Sequence, residues 1–375
     1  DYFKSVTYIE PGFINIIVSD KLINEELLNI KNEKEFGIKK DGEGKTVVLD
    51  YGGPNVAKPL HVGHLRSPII GESIKRILKA KGYKTIGDVH LGDYGLQLGQ
   101  VIYGLEKENI KKDEITLDVL EDIYPKMSKL CKEDEEVYKA CAKITKDLQD
   151  GKDEYRDLWK KICEISVGDI KRIYDYLGVS FDLWYGESDS YKYIEPMINF
   201  LEEKNMVTVD NGAKIVRLEE ETDKKAMPPL ILQKSDGAYL YQTTDLATIY
   251  QRVEDFDPNY IIYVVDERQR LHFEQVFRTC YKSGLVTKAE LEHRYNGTVN
   301  GPGGKPFKTR SGDLLKLSDL LEDVKNNFLQ KKETNKEMNE EDIDIITNAI
   351  IKFAELSNNR EKNYVFDINK FSDVY

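Results

Sequence analysis

The chain has 375 residues, 40% hydrophobic and 33% charged, enough to bury a real core in one large or two modest domains. Its net charge of −12 argues against general nucleic-acid adhesion, which needs phosphate neutralisation by Lys and Arg, but leaves room for a local basic surface. No apolar run approaches the ~18 residues of a membrane span. The four cysteines (Cys131, Cys141, Cys163, Cys280) lack CxxC spacing, so reduced thiols in a cytoplasmic protein are expected. The opening Asp1-Tyr2-Phe3-Lys4 carries neither leader nor initiator Met and reads as the start of an internal fragment.

Residues 1–40 contain a Glu10-Pro11-Gly12 turn followed by the strand-like run Phe13-Ile14-Asn15-Ile16-Ile17-Val18. Residues 41–105 read as strand (46–50), helix (69–80), strand (82–87, leading to His90) and helix. That alternation predicts the first half of an α/β, Rossmann-like parallel nucleotide-binding sheet. Residues 106–229 interrupt it. They are polar and helical to about 177, with apolar residues at three- and four-residue spacing, and then hold short strands, a helix over 193–204 and an Asp210-Asn211-Gly212 hairpin turn. Residues 230–313 resume the β-rich second half at Leu230-Ile231-Leu232 and include Tyr260-Ile261-Ile262-Tyr263-Val264-Val265, an apolar run suited to a buried parallel strand. Residues 314–375 are expected to be helical.

The most informative run is Pro54-Asn55-Val56-Ala57-Lys58-Pro59-Leu60-His61-Val62-Gly63-His64-Leu65-Arg66-Ser67, because it joins the first strand to the first patterned helix. Open parallel sheets bind nucleotides at such crossovers, where helix N-termini offer free amide donors. Gly63 lets a base or ribose approach the backbone, while His61 and His64 can donate to phosphate oxygens as charge builds at phosphorus. Lys58 adds a mobile cation. No cysteine or carboxylate cluster completes a zinc shell around the two histidines, so no metal site is expected. Later, Gly303-Gly304-Lys305-Pro306-Phe307-Lys308-Thr309-Arg310-Ser311-Gly312-Asp313 forms a glycine-flanked basic segment that could fold over phosphates.

The histidine run resembles the HIGH signature of class I aminoacyl-tRNA synthetases, and the string from Asp50 through Ser67 resembles the arginyl-tRNA synthetase family specifically. Further similar blocks keep family order: 88–95, 239–245, 263–273, 307–313, 354–360 and 366–367. The resemblance implies ATP with Mg2+, L-arginine and tRNA(Arg) as substrates and partners, with no membrane association. It makes residues 1–40 a remnant of an N-terminal domain and linker. It makes 106–229 the connective insertion, and 314–375 a segment leading to an anticodon-binding domain. Lys58, His61, His64 and Lys308 become catalytic, with Gly63 and Ser311 joining His61, His64 and Lys308 at ATP. Asp50, Asn55, His90, Tyr241, Asp245 and Gln269 become the arginine site; a guanidinium fork pairs naturally with carboxylates. The literal Lys126-Met127-Ser128-Lys129 is expected to be a decoy within a helix, with the loop at Lys308 as the functional counterpart. Gly52-Gly53 and Asp266-Glu267-Arg268 depart from the usual family pattern. A small-molecule nucleotidylyltransferase of the HxGH type, or a non-catalytic synthetase-like binding protein, are the alternatives; neither calls for both a guanidinium pocket and intact catalytic cations. The family also implies that adenylate formation needs bound tRNA, so ATP–pyrophosphate exchange by this chain alone should be slow, and robust exchange without tRNA would contradict that expectation.

Overall fold

A computed structural model describes residues 2–32, 37–305, 307, 314–331 and 338–371. The described chain divides into two compact units, one of residues 1–45 with 76–84 and one of residues 46–75 with 85–375. In the first unit, β1 (Phe3–Ile9) and β2 (Phe13–Val18) form an antiparallel hairpin, followed by helix α1 (Asp20–Asn32). Both strands carry several apolar residues, yet Val6, Tyr8, Ile14 and Ile16 are all exposed.

β3 (Thr46–Tyr51), in the second unit, leads through the histidine run to α2 (Arg66–Ala80), then to β4 (Lys84–Asp88) and α3 (Leu96–Lys107), residues 76–84 of this stretch belonging to the first unit. Helices α4 (Leu117–Glu133), α5 (Glu135–Gln149) and α6 (Asp153–Tyr176) follow. Thr116 caps α4 by accepting from the Val119 N–H, and Asp134 caps α5 by accepting from Glu136 and Val137. Helix α3 packs closely on α5 because Gly99 has no side chain: a Cβ there would lie 2.2 Å from the Cys141 carbonyl oxygen. The literal Lys126-Met127-Ser128-Lys129 lies on α4. Met127 is buried under α3 while Lys126 and Lys129 pair with Asp122 and Glu133, so the decoy expectation agrees with the packing.

The chain continues through the short α7 (Glu187–Ser190), α8 (Ile194–Glu203), β5 (Val207–Asp210), β6 (Ala213–Val216) and β7 (Leu230–Gln233). Asp210 and Ala213 pair across Asn211 (φ 49°) and Gly212 (φ 81°), the two-residue turn that the Asn-Gly pair predicts. Next come α9 (Tyr241–Phe256), β8 (Tyr260–Val264), α10 (Arg270–Ser283), β9 (Glu290–His293), β10 (Val299–Asn300), α11 (Leu317–Lys331), α12 (Glu340–Leu356) and β11 (Tyr364–Val365).

Among the described residues, the central sheet has the order β4-β3-β8-β9, with β3–β8 and β8–β9 parallel. This is the expected α/β parallel sheet, with a largely helical stretch between its halves. One detail differs. Leu230-Ile231-Leu232 does not resume that sheet; it pairs with β6 in the antiparallel sheet β5-β6-β7. Leu230 and Leu232 are buried while Ile231 is exposed, the one-sided alternation of a sheet with a single covered face. Its buried face joins the main core, which runs from Val48 and Ile261 through Leu246 of α9 and Val276 of α10 to Met197 and Leu201 of α8.

β3 and β8 are neighbours although more than 200 residues separate them in the chain, so the direction of winding reverses between them. The ends of these two strands therefore open a crevice at a topological switch point. Arg66, the first residue of α2, closes one side. It is almost wholly buried, with its Nε 2.7 Å from Glu355 of α12, and its Nη1 donates to the carbonyls of Gly297 and Lys362. Glu355→Ala would strand that guanidinium without its counter-ion. It should destabilise the fold by about 3 kcal/mol, measured by urea denaturation at pH 7.

Candidate functional site

A cavity of about 480 Å³ lies in the crevice, within the usual range for small-ligand sites. Its walls come from the segments that follow β3 and β8: Gly52, His61, Gly63 and His64 on one side, Asp266 and Gln269 on the other, with Asn296 and Phe307 beyond. Residues 62–64 make one tight helical turn, and each imidazole is locked by the backbone of that turn. His61 Nδ1 accepts from the Gly63 N–H at 3.0 Å, and His64 Nδ1 accepts from the His61 N–H at 3.1 Å. A ring nitrogen that accepts carries no proton, so in the neutral form the hydrogen of both rings sits on Nε2. The rings stack with centroids 3.9 Å apart. Burial depresses the basicity of both, with Lys58 adding to the effect at His61, and takes His64 down to about 3. They are neutral single donors at physiological pH.

Gly63 has a second task besides ligand access. A Cβ at this position would lie 2.7 Å from the His61 ring, so any side chain would displace the imidazole. Ahead of the turn, Ala57 adopts a left-handed conformation (φ 62°), which costs a non-glycine residue on the order of 1 kcal/mol. Its N–H is held by the buried Ser166 hydroxyl of α6 at 2.9 Å. Lys58 then projects its ammonium over the Tyr124 ring of α4, 4.6 Å from the centroid.

Lys308 and Ser311 lie outside the described residues. The segment on their far side is fixed to the histidine turn: Val62 donates to the Leu315 carbonyl at 3.1 Å, Leu317 donates to Leu60 at 2.8 Å, and Lys316 bridges His61 in antiparallel register. Leu315 also donates to Phe307 at 3.3 Å, so the two described flanks meet beside the cavity. Lys316 pairs with Glu121 of α4 at 2.5 Å.

The residues assigned to arginine fall into several groups. Asp245, one turn into α9, lies 2.5 Å from His272 Nε2, and Tyr241 at the helix start has its ring 4.8 Å from the His272 ring. Asp50 is buried and committed to an internal partner. Arg252 Nη2 reaches Asp50 at 2.6 Å and Asp88 at 2.7 Å, under the Tyr263 ring. Asp50 is thus held at the floor of the crevice by an internal cation that it shares with Asp88. His90 follows Asp88 in a left-handed conformation (φ 43°), and neither of its buried ring nitrogens has a hydrogen-bond partner among the described residues. Asn55 pairs with Gly92 beside it, while Gln269 lines the nucleotide cavity.

Ligand atoms of Asp50, Asp88 and His90 lie within 4.8 Å of one another, a spacing that could hold a metal ion. Arg252 already supplies positive charge to both carboxylates, and no metal is needed to explain their burial.

Sequence reasoning missed Glu187, His272 and Arg252. Glu187 opens α7, positioned by its N–H on the Leu91 carbonyl at 3.0 Å and by Asp93, which accepts from the Ser188 N–H and hydroxyl. Burial pushes Glu187 up to about 7; Asp245 and Asp93 add to the shift and His90 opposes it. The carboxylates of Glu187 and Asp245 therefore share one electrostatic neighbourhood with His90.

A family model described as "tRNA synthetases class I (R), catalytic domain" matches residues 26–368. The chain is 45% identical to the arginine–tRNA ligase of Alkaliphilus oremlandii and 43% identical to that of Agathobacter rectalis. Each match covers 99% of this chain and 67% of the relative. Its structure is similar to the arginyl-tRNA synthetase of Plasmodium falciparum (28% identity, TM-score 0.81), covering 99% of this chain and 64% of that one. The Thermus thermophilus arginyl-tRNA synthetase shares the fold at 17% identity and a TM-score of 0.76, over 99% of this chain and 67% of that one. This chain thus spans about two thirds of the relatives' length. A donor-lined crevice at the switch point, the ordered blocks around it and these matches together make the chain a member of the class I arginyl-tRNA synthetase family, of which it carries the catalytic domain.

Proposed function

We propose that this chain activates L-arginine with ATP and Mg2+ and transfers the arginyl group to the terminal adenosine of tRNA(Arg). The observation that carries the proposal is a cavity lined by neutral imidazole donors at the sheet's switch point, in a protein that also gathers carboxylates around His90. A carboxylate oxygen of arginine attacks the α-phosphorus of ATP; the new P–O bond forms as the bond to pyrophosphate breaks. The 2′-hydroxyl of the tRNA then takes the arginyl group and AMP leaves. No side chain need become a covalent nucleophile, so positioning and charge stabilisation carry the rate.

In this reading the His61 and His64 Nε2–H groups donate to oxygens on the α-phosphorus as their charge grows, and Lys58 and Lys308 offset charge on the triphosphate. Glu187 and Asp245 receive the guanidinium while Tyr241 packs against it, and Asn55 and Gln269 hold the α-amino end. Asp50 stiffens the pocket floor through Arg252, and His90, 3.8 Å from Asp88, lies beside it. Among the described residues no helix is long and apolar enough to cross a membrane, and we assign the activity to the cytoplasm.

Calorimetry with a nonreactive ATP analogue provides the direct test. Arginine should bind at least about a hundredfold more tightly than lysine, which lacks the fork, or citrulline, which lacks the charge. Equal affinity for the three would refute the assignment. In aminoacylation assays with tRNA(Arg), His61→Ala or His64→Ala should lower kcat by roughly 10²-fold with a smaller effect on the KM for ATP. A pure KM effect would remove both histidines from the transition state.

The pH dependence follows from Glu187. Its carboxyl is held up to about 7, so it is protonated at pH 6 and ionised at pH 8. A guanidinium prefers the ionised form, so arginine affinity should rise between those values. Glu187→Gln should flatten the profile as well as weaken binding.

A further inference from the structure

Tyr241 opens α9 and is 59% exposed, and Asp245, one turn on, is partly exposed. What holds both is one side chain from another element. His272, two residues into α10, is buried at 7% exposure. Its Nε2 lies 2.5 Å from Asp245 Oδ2, and its ring lies 4.8 Å from that of Tyr241 at an interplanar angle of 48°. The opposite edge of the ring is packed against Phe273, with centroids 4.9 Å apart in an edge-to-face contact.

The protonation of this imidazole is set by its surroundings. Nδ1 is buried and has no hydrogen-bond partner among the described residues. An Nδ1–H tautomer would bury an unpaired N–H there, whereas the Nε2–H tautomer leaves only an unused lone pair. Nε2 then donates to Asp245. One carboxylate oxygen is tied, and the other remains a full acceptor for an incoming cation.

We propose that His272 is a positioning residue for arginine recognition, orienting the Asp245 carboxylate and the Tyr241 ring together. This rests on the reading above that Asp245 and Tyr241 meet the guanidinium. A lysine or arginine at position 272 would pair with Asp245 as a competing cation and abolish the pocket's preference. An aliphatic residue would leave Asp245 free to rotate and Tyr241 without its support.

The test is arginine binding by calorimetry to the whole chain in saturating α,β-methylene-ATP, with affinity for the analogue itself measured in parallel. Asp245→Asn should weaken arginine by at least about tenfold. His272→Ala should weaken arginine by about tenfold and leave the analogue within about twofold. His272→Gln places an amide N–H close to the imidazole Nε2 and should recover most of the loss. His272→Asn, too short to reach Asp245, should not. Combining His272→Ala with Asp245→Asn should add little to Asp245→Asn alone. If Asp245→Asn weakens arginine and His272→Ala does not, the positioning role is wrong while the site stands. If Asp245→Asn has no effect, the arginine site itself is misassigned. Equal losses of arginine and analogue, or no recovery with His272→Gln, would make His272 a packing residue and overturn the proposal. Should His272→Ala fail to fold, the contrast between the Gln and Asn variants decides the same question.

Discussion

The structure turns on one buried cation. Arg252 reaches out of α9 and binds Asp50 at the end of β3 and Asp88 at the end of β4, with Tyr263 of β8 across its face. Three neighbouring strands and the helix that carries Asp245 are joined at the point where the crevice opens. Burying two carboxylates without that guanidinium would cost several kcal/mol each. Paired, they fix the strand ends from which the nucleotide turn and the His90 loop depart. Rigid strand ends are what allow short connecting segments to present donors at defined positions.

The two halves of the site solve different electrostatic problems. On the proposed ATP side, the neutral imidazoles would add directional hydrogen bonds but no long-range attraction for a triphosphate, which would fall to lysines. On the proposed arginine side, charge is essential, and other elements hold the carboxylates: His272 Nε2 lies against Asp245, and Ser188 holds Asp93 through its N–H and hydroxyl. Glu187 shows the cost of gathering like charges, since burial and its acidic neighbours hold its proton on to about pH 7.

Much of this was legible in the sequence, and the misses have physical reasons. The apolar runs at β3 and β8 and the Asn-Gly turn at 211–212 are local signals, so strand, strand and hairpin could be read from them. The histidine run could be read because its spacing and its place after a strand coincide. Glu187 carries no such mark: Gly186-Glu187-Ser188-Asp189 looks like a polar loop, and only the bonds of Glu187 to Leu91 and of Ser188 to Asp93, nearly a hundred residues away, place it. Arg252 resembles any arginine on a solvated helix face until β3 and β4 converge on it. The burial of Asp50 beneath Arg252 is a tertiary fact that no spacing encodes. Leu230-Ile231-Leu232 misled for the opposite reason, because a short apolar run has the same appearance in either kind of sheet.

Helix α4 holds two cations that lie far apart in sequence: Tyr124 under Lys58, and Glu121 against Lys316. Positions 121 and 124 are one turn apart on a single face. Lys58 precedes the histidine turn, and Lys316 lies opposite His61 in antiparallel register. In mechanical terms the helix is a common lever. A rotation about its axis would shift both ammonium groups in step, so the polar stretch between the two halves of the sheet is tied to both flanks of the histidine turn as well as separating those halves.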